Sequence, residues 1–314
     1  MIEVSHADRI VFPEIGATKG EVVAYYERVA PRLLPHVLGR PLSLRRYPKG
    51  LSGKGFFQKN VPDHYPGSIT RYAVPRSEEA SRRHRDEDEK ARDTTVYPIL
   101  REVEHVPYVA NQGAIELHVP TARVPEWRAD RVVIDLDPPP EGLALVRRAA
   151  LVVREALEAM GLATIPVATG SKGYHLVASI EPTIAGHALL TAIRQFAALV
   201  TERHPDLLTL AFRVKSRGAR VFVDWLRNGP MATVVAPYSL RALPSASVAL
   251  PLAWDEVEHI PPDGFTLRDL EKILDRPDPL ADATPSDAHP FVEATGLAFE
   301  RAGLKLETFD RFRS

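Results

Sequence analysis

Hydrophobic residues recur at helical spacing in some segments of this chain and alternate with polar residues in others. The helical spacing predicts helices within 18–37, 144–161, 183–205, 265–274 and 290–303. The alternation predicts strands within 41–48, 95–100, 106–120, 131–138, 164–169, 174–180 and 219–226. Thr18 and Glu21 form a capping-box pattern at the start of the first helix. We expect Gly161 to end the second helix and Thr183 to cap the third.

From residue 131 to residue 226 the predicted order is strand, helix, strand, strand, helix, strand. This order is typical of the RRM-like βαββαβ unit, an antiparallel sheet with both helices on one face. The other face of the sheet is then free to carry a site. We therefore expect an α+β protein with one domain over 1–314, organised as an N-terminal α/β module (1–125), an RRM-like catalytic module (126–254) and a C-terminal helical extension (255–314).

The composition excludes several classes of protein. The 314 residues are 45% hydrophobic and 26% charged, which is typical of a globular chain and not of a disordered one. The absence of cysteine excludes disulfides, thiolate nucleophiles and cysteine-ligated zinc. No apolar run approaches the roughly 18 residues of a membrane span, and the first residues lack the pattern of a signal peptide. We expect a cytoplasmic protein without a membrane partner.

Charge is segregated along the chain although the net charge is only −1. No acidic residue lies between Glu27 and Asp63, where eight basic residues occur. A second acid-free stretch, 207–223, also carries several arginines and a lysine. Such stretches can build a local surface for a polyanion, and the alternative is a set of solvated side chains on ordinary loops.

The sequence VVIDLDP places two carboxylates at the end of an apolar strand. Asp135 and Asp137 share one face of that strand, because side chains two apart point the same way. Asp224 holds the equivalent place in VFVDWL, the last strand of the unit. Three converging carboxylates would repel one another unless hard divalent cations such as Mg²⁺ or Mn²⁺ bind them. For DLDP alone, the alternative is an aspartate that caps backbone amides where the strand turns.

The sequence ATGSKG joins two of the predicted strands. Gly170 and Gly173 allow a tight turn whose N–H groups can surround a phosphate. Lys172 adds a positive charge, while Thr169 and Ser171 add hydroxyl groups. The segment is not a Walker loop, since a strand and not a helix follows it. An ordinary hairpin turn is the alternative.

These motifs carry a family resemblance. DLD (135–137), the TGSKGYH block and VFVDW (221–225) occur in the order and spacing of the archaeo-eukaryotic primase superfamily. More closely, the chain resembles the polymerase domain of the bacterial end-joining ligase D, from about residue 5 to about residue 275. The further matching segments are HADRIVFP, TKGEVVAYY, GFFQKN, ELHVP and APYSLR.

The resemblance implies a metal-dependent nucleotidyltransferase. Enzymes of that family extend or fill DNA ends and gaps with NTPs or dNTPs in non-homologous end joining, directed by a template, and often favour manganese and ribonucleotides. It implies a two-metal Mn²⁺ or Mg²⁺ site on Asp135, Asp137 and Asp224, with DNA carrying a 5′-phosphate as substrate. A Ku-like factor and a DNA ligase are the implied partners, and the nucleoid of a bacterial cell the implied location.

The same resemblance assigns roles to further residues. The nucleotide-binding positions would be His118, Thr169, Ser171, Lys172, His175, Arg217 and Arg241. Arg9 and Lys19 fall where the family holds the DNA 5′-phosphate, although lysine is common at the position of Arg9. Phe56 and Phe57 match aromatic residues that stack on the template, and an ordinary core position is the alternative for Phe57. The family commonly has serine at the position of Thr169, and the hydroxyl is kept.

One segment departs from the family pattern. Residues 76–93 hold thirteen charged residues and no large apolar one, and this stretch is longer than the corresponding loop of the family. We expect a surface loop that influences the pairing of DNA ends and not the chemistry. No ligase KxDG motif or histidine-rich nuclease module is present, so either a separate protein or one domain of a longer one fits.

Three other activities stay open at this point. A primase that starts strands de novo is the nearest neighbour, although the missing cysteines disfavour a zinc-containing version of it. A two-metal phosphodiesterase or nuclease would use a similar acidic cluster. A non-catalytic nucleic-acid binder on an RRM-like sheet is disfavoured, because unneutralised carboxylates repel phosphate.

Overall fold

The computed structural model describes residues 3–75 and 94–306. Its two largest sheets, of six and four strands, carry the three predicted aspartates, the two predicted histidines and the Phe56–Phe57 pair. The charged segment 76–93 lies outside the described residues, so its expected role stays a prediction. The strands are β1 (Ile10–Phe12), β2 (Ala17–Thr18), β3 (Ser43–Arg46), β4 (Phe56–Gln58), β5 (Thr70–Pro75), β6 (Thr94–Ile99), β7 (Ala114–Val119), β8 (Ala122–Arg123), β9 (Arg128–Ala129), β10 (Arg131–Asp137), β11 (Ile165–Ala168), β12 (Tyr174–Ser179), β13 (Leu208–Thr209), β14 (Val221–Asp224), β15 (Val234–Val235) and β16 (Leu250–Pro251).

The helices account for the apolar stripes seen in the sequence. They are α1 (Lys19–Val37), α2 (His105–Asn111), α3 (Leu143–Ala159), α4 (Gly186–Arg203), α5 (Val214–Arg217), α6 (Leu270–Asp275) and α7 (His289–Arg301). Short 3₁₀ turns occur at Pro13–Ile15, Leu226–Asn228, Trp254–Glu258 and Leu267–Asp269. Within the described ranges, no helix has the length and apolar character that crossing a bilayer requires. This is a mixed α+β protein with several sheets.

The six-stranded sheet has the order β13-β14-β10-β12-β11-β16. Its four central strands pair antiparallel, and they follow one another along the chain as β10-α3-β11-β12-α4-β14. Even-numbered residues of β10, such as Ile134 and Leu136, are buried in the main core together with α3 and α4. The odd-numbered residues lie on the opposite face, where Val133 packs with Val167, Val177 and Leu280. That opposite face carries the acidic residues.

The four-stranded sheet has the order β15-β7-β3-β4 and packs on α1. The predicted capping box is present, since the Glu21 amide donates to Thr18 Oγ1 at 3.2 Å and the Thr18 amide donates to Glu21 Oε2 at 2.7 Å. From the buried face of α1, the Tyr26 hydroxyl donates to the Ile115 carbonyl at 2.5 Å. This bond ties the helix to β7, the strand that carries His118.

Two local predictions are wrong. Residues 106–111 belong to helix α2 and not to a strand, because Val106, Val109 and Ala110 repeat at helical spacing and are buried in the core that α1 also lines. Gly113, with φ of 85°, then turns the chain into β7. Thr183 does not cap α4: its amide donates to the Glu181 carbonyl in the preceding turn, and the helix begins at Gly186.

Candidate active site

Three carboxylates meet on the open face of the six-stranded sheet. Asp135 of β10 lies directly opposite Asp224 of β14, and Asp137 follows two residues later on the same face. One oxygen from each carboxylate lies within 4.8 Å of the other two. Asp135 and Asp224 are buried, whereas the side chain of Asp137 is 43% exposed. The convergence predicted from the strand pattern is therefore found.

Arg227 balances part of this negative charge. Its Nε donates to Asp135 Oδ2 at 3.0 Å and lies 3.1 Å from Asp224 Oδ2. The 3₁₀ turn that follows β14 places it there, three residues after Asp224. In the same turn, the side-chain amide of Asn228 donates to the Val133 carbonyl at 2.6 Å and accepts from the Val133 amide at 2.8 Å, which fixes the turn on β10.

Burial sets the protonation behaviour of the acidic cluster. It raises the pKa of Asp224 to about 6 against the opposing charge of Arg227. Burial also raises the pKa of Asp135, and burial together with Asp135 raises the pKa of Asp137. Burial and the nearby Arg227 lower the pKa of His175 to about 3, so its imidazole is neutral at pH 7. The cluster therefore favours a further cation.

The turn between β11 and β12 is built from its own residues. Thr169 Oγ1 donates to the Gly173 carbonyl at 2.8 Å and accepts from the Ser171 amide at 3.3 Å. A Cβ on Gly173 would lie 2.0 Å from the Leu136 carbonyl oxygen, so only glycine fits against β10 there. Lys172 is exposed at the tip. The Thr169 hydroxyl closes the turn, and its predicted contact with a triphosphate stays a prediction.

A cavity of about 410 Å³ joins the acidic cluster to this turn. Nine of the residues singled out in the sequence line it: His118, Asp135, Asp137, Thr169, Ser171, Lys172, His175, Arg217 and Arg241. Asp224 lies behind this lining, next to Asp135. Arg217 extends along the mouth, with its guanidinium 4.0 Å from the Phe222 ring centre and 3.6 Å from Asp137 Oδ2. The predicted nucleotide-binding positions thus share one cavity, while their roles stay predictions.

Glu116 is a residue that the sequence reasoning missed. It is buried on β7 and accepts a hydrogen bond from Arg45 at 3.1 Å and from the Ala242 amide at 2.8 Å, while His118 Nε2 lies 2.8 Å from its Oε2. Burial opposes ionisation, but the hydrogen bond from His118 and the charge of Arg241 outweigh it and lower the pKa of Glu116 to about 2. Glu116 and His118 share one strand face in ELHVP, and this spacing is the sequence pattern that indicates a contact between them.

Phe56 and Phe57 lie on the surface of the four-stranded sheet. They are 47% and 57% exposed, so the core alternative for Phe57 is wrong. The Phe57 ring centre lies 5.5 Å from that of His118, which lines the cavity of about 410 Å³. The guanidinium groups of Arg45 and Arg46 stack on the Phe57 and Phe56 rings at 5.9 and 5.6 Å. Exposed aromatic rings among arginines are typical of a surface that binds single-stranded nucleic acid.

Arg9 and Lys19 line a second, smaller cavity of about 200 Å³. Lys19 Nζ donates to the Ser5 carbonyl and hydroxyl at 2.7 and 2.8 Å, and Arg9 donates to the Pro48 carbonyl at 2.6 Å. Burial and the charge of Arg9 lower the pKa of Lys19. No carboxylate of the described residues pairs with either cation, which suits an anion site.

Carboxylates on paired strands beside a glycine-rich basic turn define a nucleotidyltransferase of the primase-polymerase type. The family model "LigD, primase-polymerase domain" matches residues 18–280, and the chain belongs to this family. The multifunctional end-joining protein LigD of Mycolicibacterium smegmatis is 32% identical over 298 residues, which cover 91% of this chain and 36% of the relative. The bifunctional LigD of Bacillus subtilis is 28% identical over 281 residues, or 88% of this chain and 42% of the relative.

A solved structure is similar over nearly its whole length. The polymerase domain of Mycobacterium tuberculosis ligase D, in complex with DNA, matches with a TM-score of 0.76 and 31% identity. The match covers 91% of this chain and 99% of that one. By contrast, the chain spans only about a third to two-fifths of the length of the M. smegmatis and B. subtilis relatives.

Proposed function

We propose that this chain extends or fills DNA ends and gaps with NTPs or dNTPs, directed by a template, in non-homologous end joining. The observation that carries the proposal is the meeting of three carboxylates within 4.8 Å, two of which line a cavity that also holds a basic turn. Polymerisation needs this combination, because the carboxylates must bind metal ions and the basic turn must bind a triphosphate. The relatives' names supply the setting of end joining.

The finer account of the fold is part of the proposal. The sheet β14-β10-β12-β11 would be the RRM-like catalytic sheet of the archaeo-eukaryotic primase superfamily, within residues 126–254. Residues 1–125 would form the N-terminal module for the 5′-phosphate and the template, and 255–314 the helical extension, all within one domain. The strand order and the antiparallel pairing support the RRM-like sheet.

The acidic residues fit a pair of hard divalent cations. All three donors are carboxylate oxygens, which Mn²⁺ and Mg²⁺ prefer, and burial leaves their charge only partly balanced. Asp135, Asp137 and Asp224 would hold the ions. When bound, such ions activate the primer 3′-oxygen and stabilise the charge on the α-phosphate and on the leaving pyrophosphate.

The chain's own residues would position the nucleotide. Lys172, Arg217 and Arg241 all line the cavity, so the triphosphate would lie among cations. The imidazole of His175 is neutral at pH 7 and its Nε2 lies 3.6 Å from Asp135 Oδ1, so it would donate a hydrogen bond to a phosphate oxygen beside the acidic cluster. Glu116 would hold His118 and Arg241 in place. Thr169 and Ser171 would shape the turn.

The DNA would lie across the two basic regions. Arg9 and Lys19 would hold the 5′-phosphate in the small cavity, and Phe56 and Phe57 would stack on template bases near His118. The solved M. tuberculosis domain, which is in complex with DNA, supports a DNA substrate. We further propose a Ku-like factor and a DNA ligase as partners, at the nucleoid of the bacterial cell.

An extension assay tests the proposal. A labelled 5′-phosphorylated gapped duplex is incubated with the chain, Mn²⁺ or Mg²⁺, and NTPs or dNTPs. We expect lengthened products. Asp135→Asn should abolish extension and keep DNA binding. Asp206→Asn, which changes an exposed carboxylate elsewhere, should extend as the parent does. Shortened products would instead indicate a nuclease, and extension by Asp135→Asn at the normal rate would refute the assignment.

A further inference from the structure

A cavity of about 620 Å³ lies away from the catalytic site. It lies on the same face of the six-stranded sheet, at the other end of β10. The odd-numbered face of β10 carries Arg131, Val133, Asp135 and Asp137 in that order. Leu280 covers Val133 between the two ends, and four residues of strand separate Arg131 from Asp135 by about 13 Å. The sheet face therefore has an acidic end and a basic end.

The charges around this cavity are incompletely balanced. Five charged side chains line it: Arg123, Glu126, Arg128, Asp130 and Arg131. Asp130 is already occupied by the buried Arg40 and by Arg123. The Arg131 guanidinium contacts the His36 carbonyl at 3.3 Å and His36 Nδ1 at 3.4 Å, and it forms no ion pair with a carboxylate of the described residues. Burial and the charge of Arg40 lower the pKa of Arg131 to about 9, although the charges of Asp130 and Asp278 act in the opposite direction.

The shape of the cavity suits a small organic anion. Ile180, Leu280, Pro182 and Pro285 form apolar walls beside the arginines. Its volume falls within the roughly 300–1,000 Å³ of small-molecule sites. Arginine binds phosphate oxygens through a planar pair of N–H donors. An apolar wall next to arginines suits a ligand with a planar base and a phosphate.

We propose that this cavity, lined by Arg123, Arg128 and Arg131, is a second nucleotide-phosphate site, separate from the catalytic one. A phosphate there pairs with Arg131 and Arg128, and the base or sugar lies against Leu280 and the prolines. The phosphate can belong to a free mononucleotide or to a nucleic-acid strand that crosses the cavity. Both present the same chemistry to the arginines.

Calorimetric titration of the whole chain in EDTA, with AMP as the probe, tests this site. The decisive pair of variants is Ala281→Glu and Ala281→Gln, since Ala281 is exposed at the cavity and the two side chains have equal size. We expect Ala281→Glu and Arg128→Ala to weaken AMP binding by about tenfold or more, as for loss of a charge-assisted hydrogen bond. Ala281→Gln and Arg148→Ala, an exposed arginine on α3, should bind as the parent does. Glu126→Gln should bind more tightly.

A labelled single-stranded oligonucleotide with a 5′-hydroxyl distinguishes the two sources of phosphate. If Ala281→Glu weakens AMP binding, the site takes free nucleotides; if it weakens only oligonucleotide binding, the phosphate belongs to a strand. The proposal is overturned if neither probe responds to Ala281→Glu and Arg128→Ala. In that case, a loss of AMP binding in Lys172→Ala would place the nucleotide in the catalytic cavity instead.

Discussion

Replacing Arg227 by alanine removes the cation that lies between Asp135 and Asp224. The two carboxylate side chains are only 9% and 6% exposed, so each loses its nearest positive partner in a poorly solvated place. Breaking a buried pair costs about 3–5 kcal/mol, and an exposed pair is worth about 0–1 kcal/mol. Because the Arg227 side chain is itself 39% exposed, we expect an intermediate loss of about 2 kcal/mol in the free energy of unfolding at pH 7.5.

The loss should depend on pH in a defined direction. The pKa of Asp224 is about 6 in the folded chain, above its ordinary value near 3.8, so the folded state binds this proton more tightly. A group of this kind favours the folded state below its unfolded pKa, and that contribution disappears as the pH rises through about 6. Removing Arg227 raises the pKa of Asp224 further, so protonation at pH 5 relieves more of the cost of burying an unpaired carboxylate. The loss in the free energy of unfolding caused by Arg227→Ala should therefore be smaller at pH 5 than at pH 7.5.

Urea unfolding in EDTA at the two pH values measures this effect. Arg227→Lys keeps the charge and should lose less than half as much unfolding free energy as Arg227→Ala. Arg148→Ala should be as stable as the parent at both pH values. Added Mn²⁺ should restore more stability to Arg227→Ala than to the parent, because a cation regains contact with unbalanced carboxylates. Equal stability of Arg227→Ala and parent, or a deficit that does not change with pH, would refute the electrostatic reasoning.

Three other outcomes are expected. Lys19→Ala should reduce the preference for 5′-phosphorylated over 5′-hydroxyl gaps by about tenfold in binding assays, with Lys49→Ala as the control, and an unchanged preference would exclude that cavity as the phosphate site. Phe57→Ala should leave the melting temperature nearly unchanged because the ring is exposed, yet weaken binding of primer–template by about 1–3 kcal/mol in fluorescence titrations. A lowered melting temperature with normal DNA affinity would instead make Phe57 structural. Gly173→Ala should lose most extension activity through displacement of the turn, whereas Gly186→Ala, where a Cβ meets no atom within 4 Å, should not; equal activities would contradict the close packing on β10.

The part of the site that lies on strands could be predicted from the sequence. Alternation places Asp135 and Asp137 on one face, and the order of elements brings β14 beside β10, so that Asp224 joins them. Both steps depend on local periodicity and on a common topology. The positions of Thr169 and Lys172 followed in the same way, because a short turn between paired strands has few geometries.

Other features depend on contacts that local sequence does not encode. Arg227 reaches the acidic cluster only because Asn228 fixes the 3₁₀ turn against Val133, 95 residues earlier in the chain. Glu116 is buried through partners from three separate segments, and the ELHVP motif alone does not predict this burial. The sequence of α2 favours a strand, since a short buried helix with valines shows the composition of a strand.

The central claim is that Asp135, Asp137 and Asp224 hold divalent ions next to the phosphates of a nucleotide. Anomalous diffraction from crystals grown with Mn²⁺ and a non-hydrolysable nucleoside triphosphate measures it most directly. The account predicts manganese peaks bonded to these three carboxylates, with the triphosphate near Lys172 and Arg241. Manganese bound elsewhere, while the three carboxylates contact only Arg217 and Arg227, would contradict it.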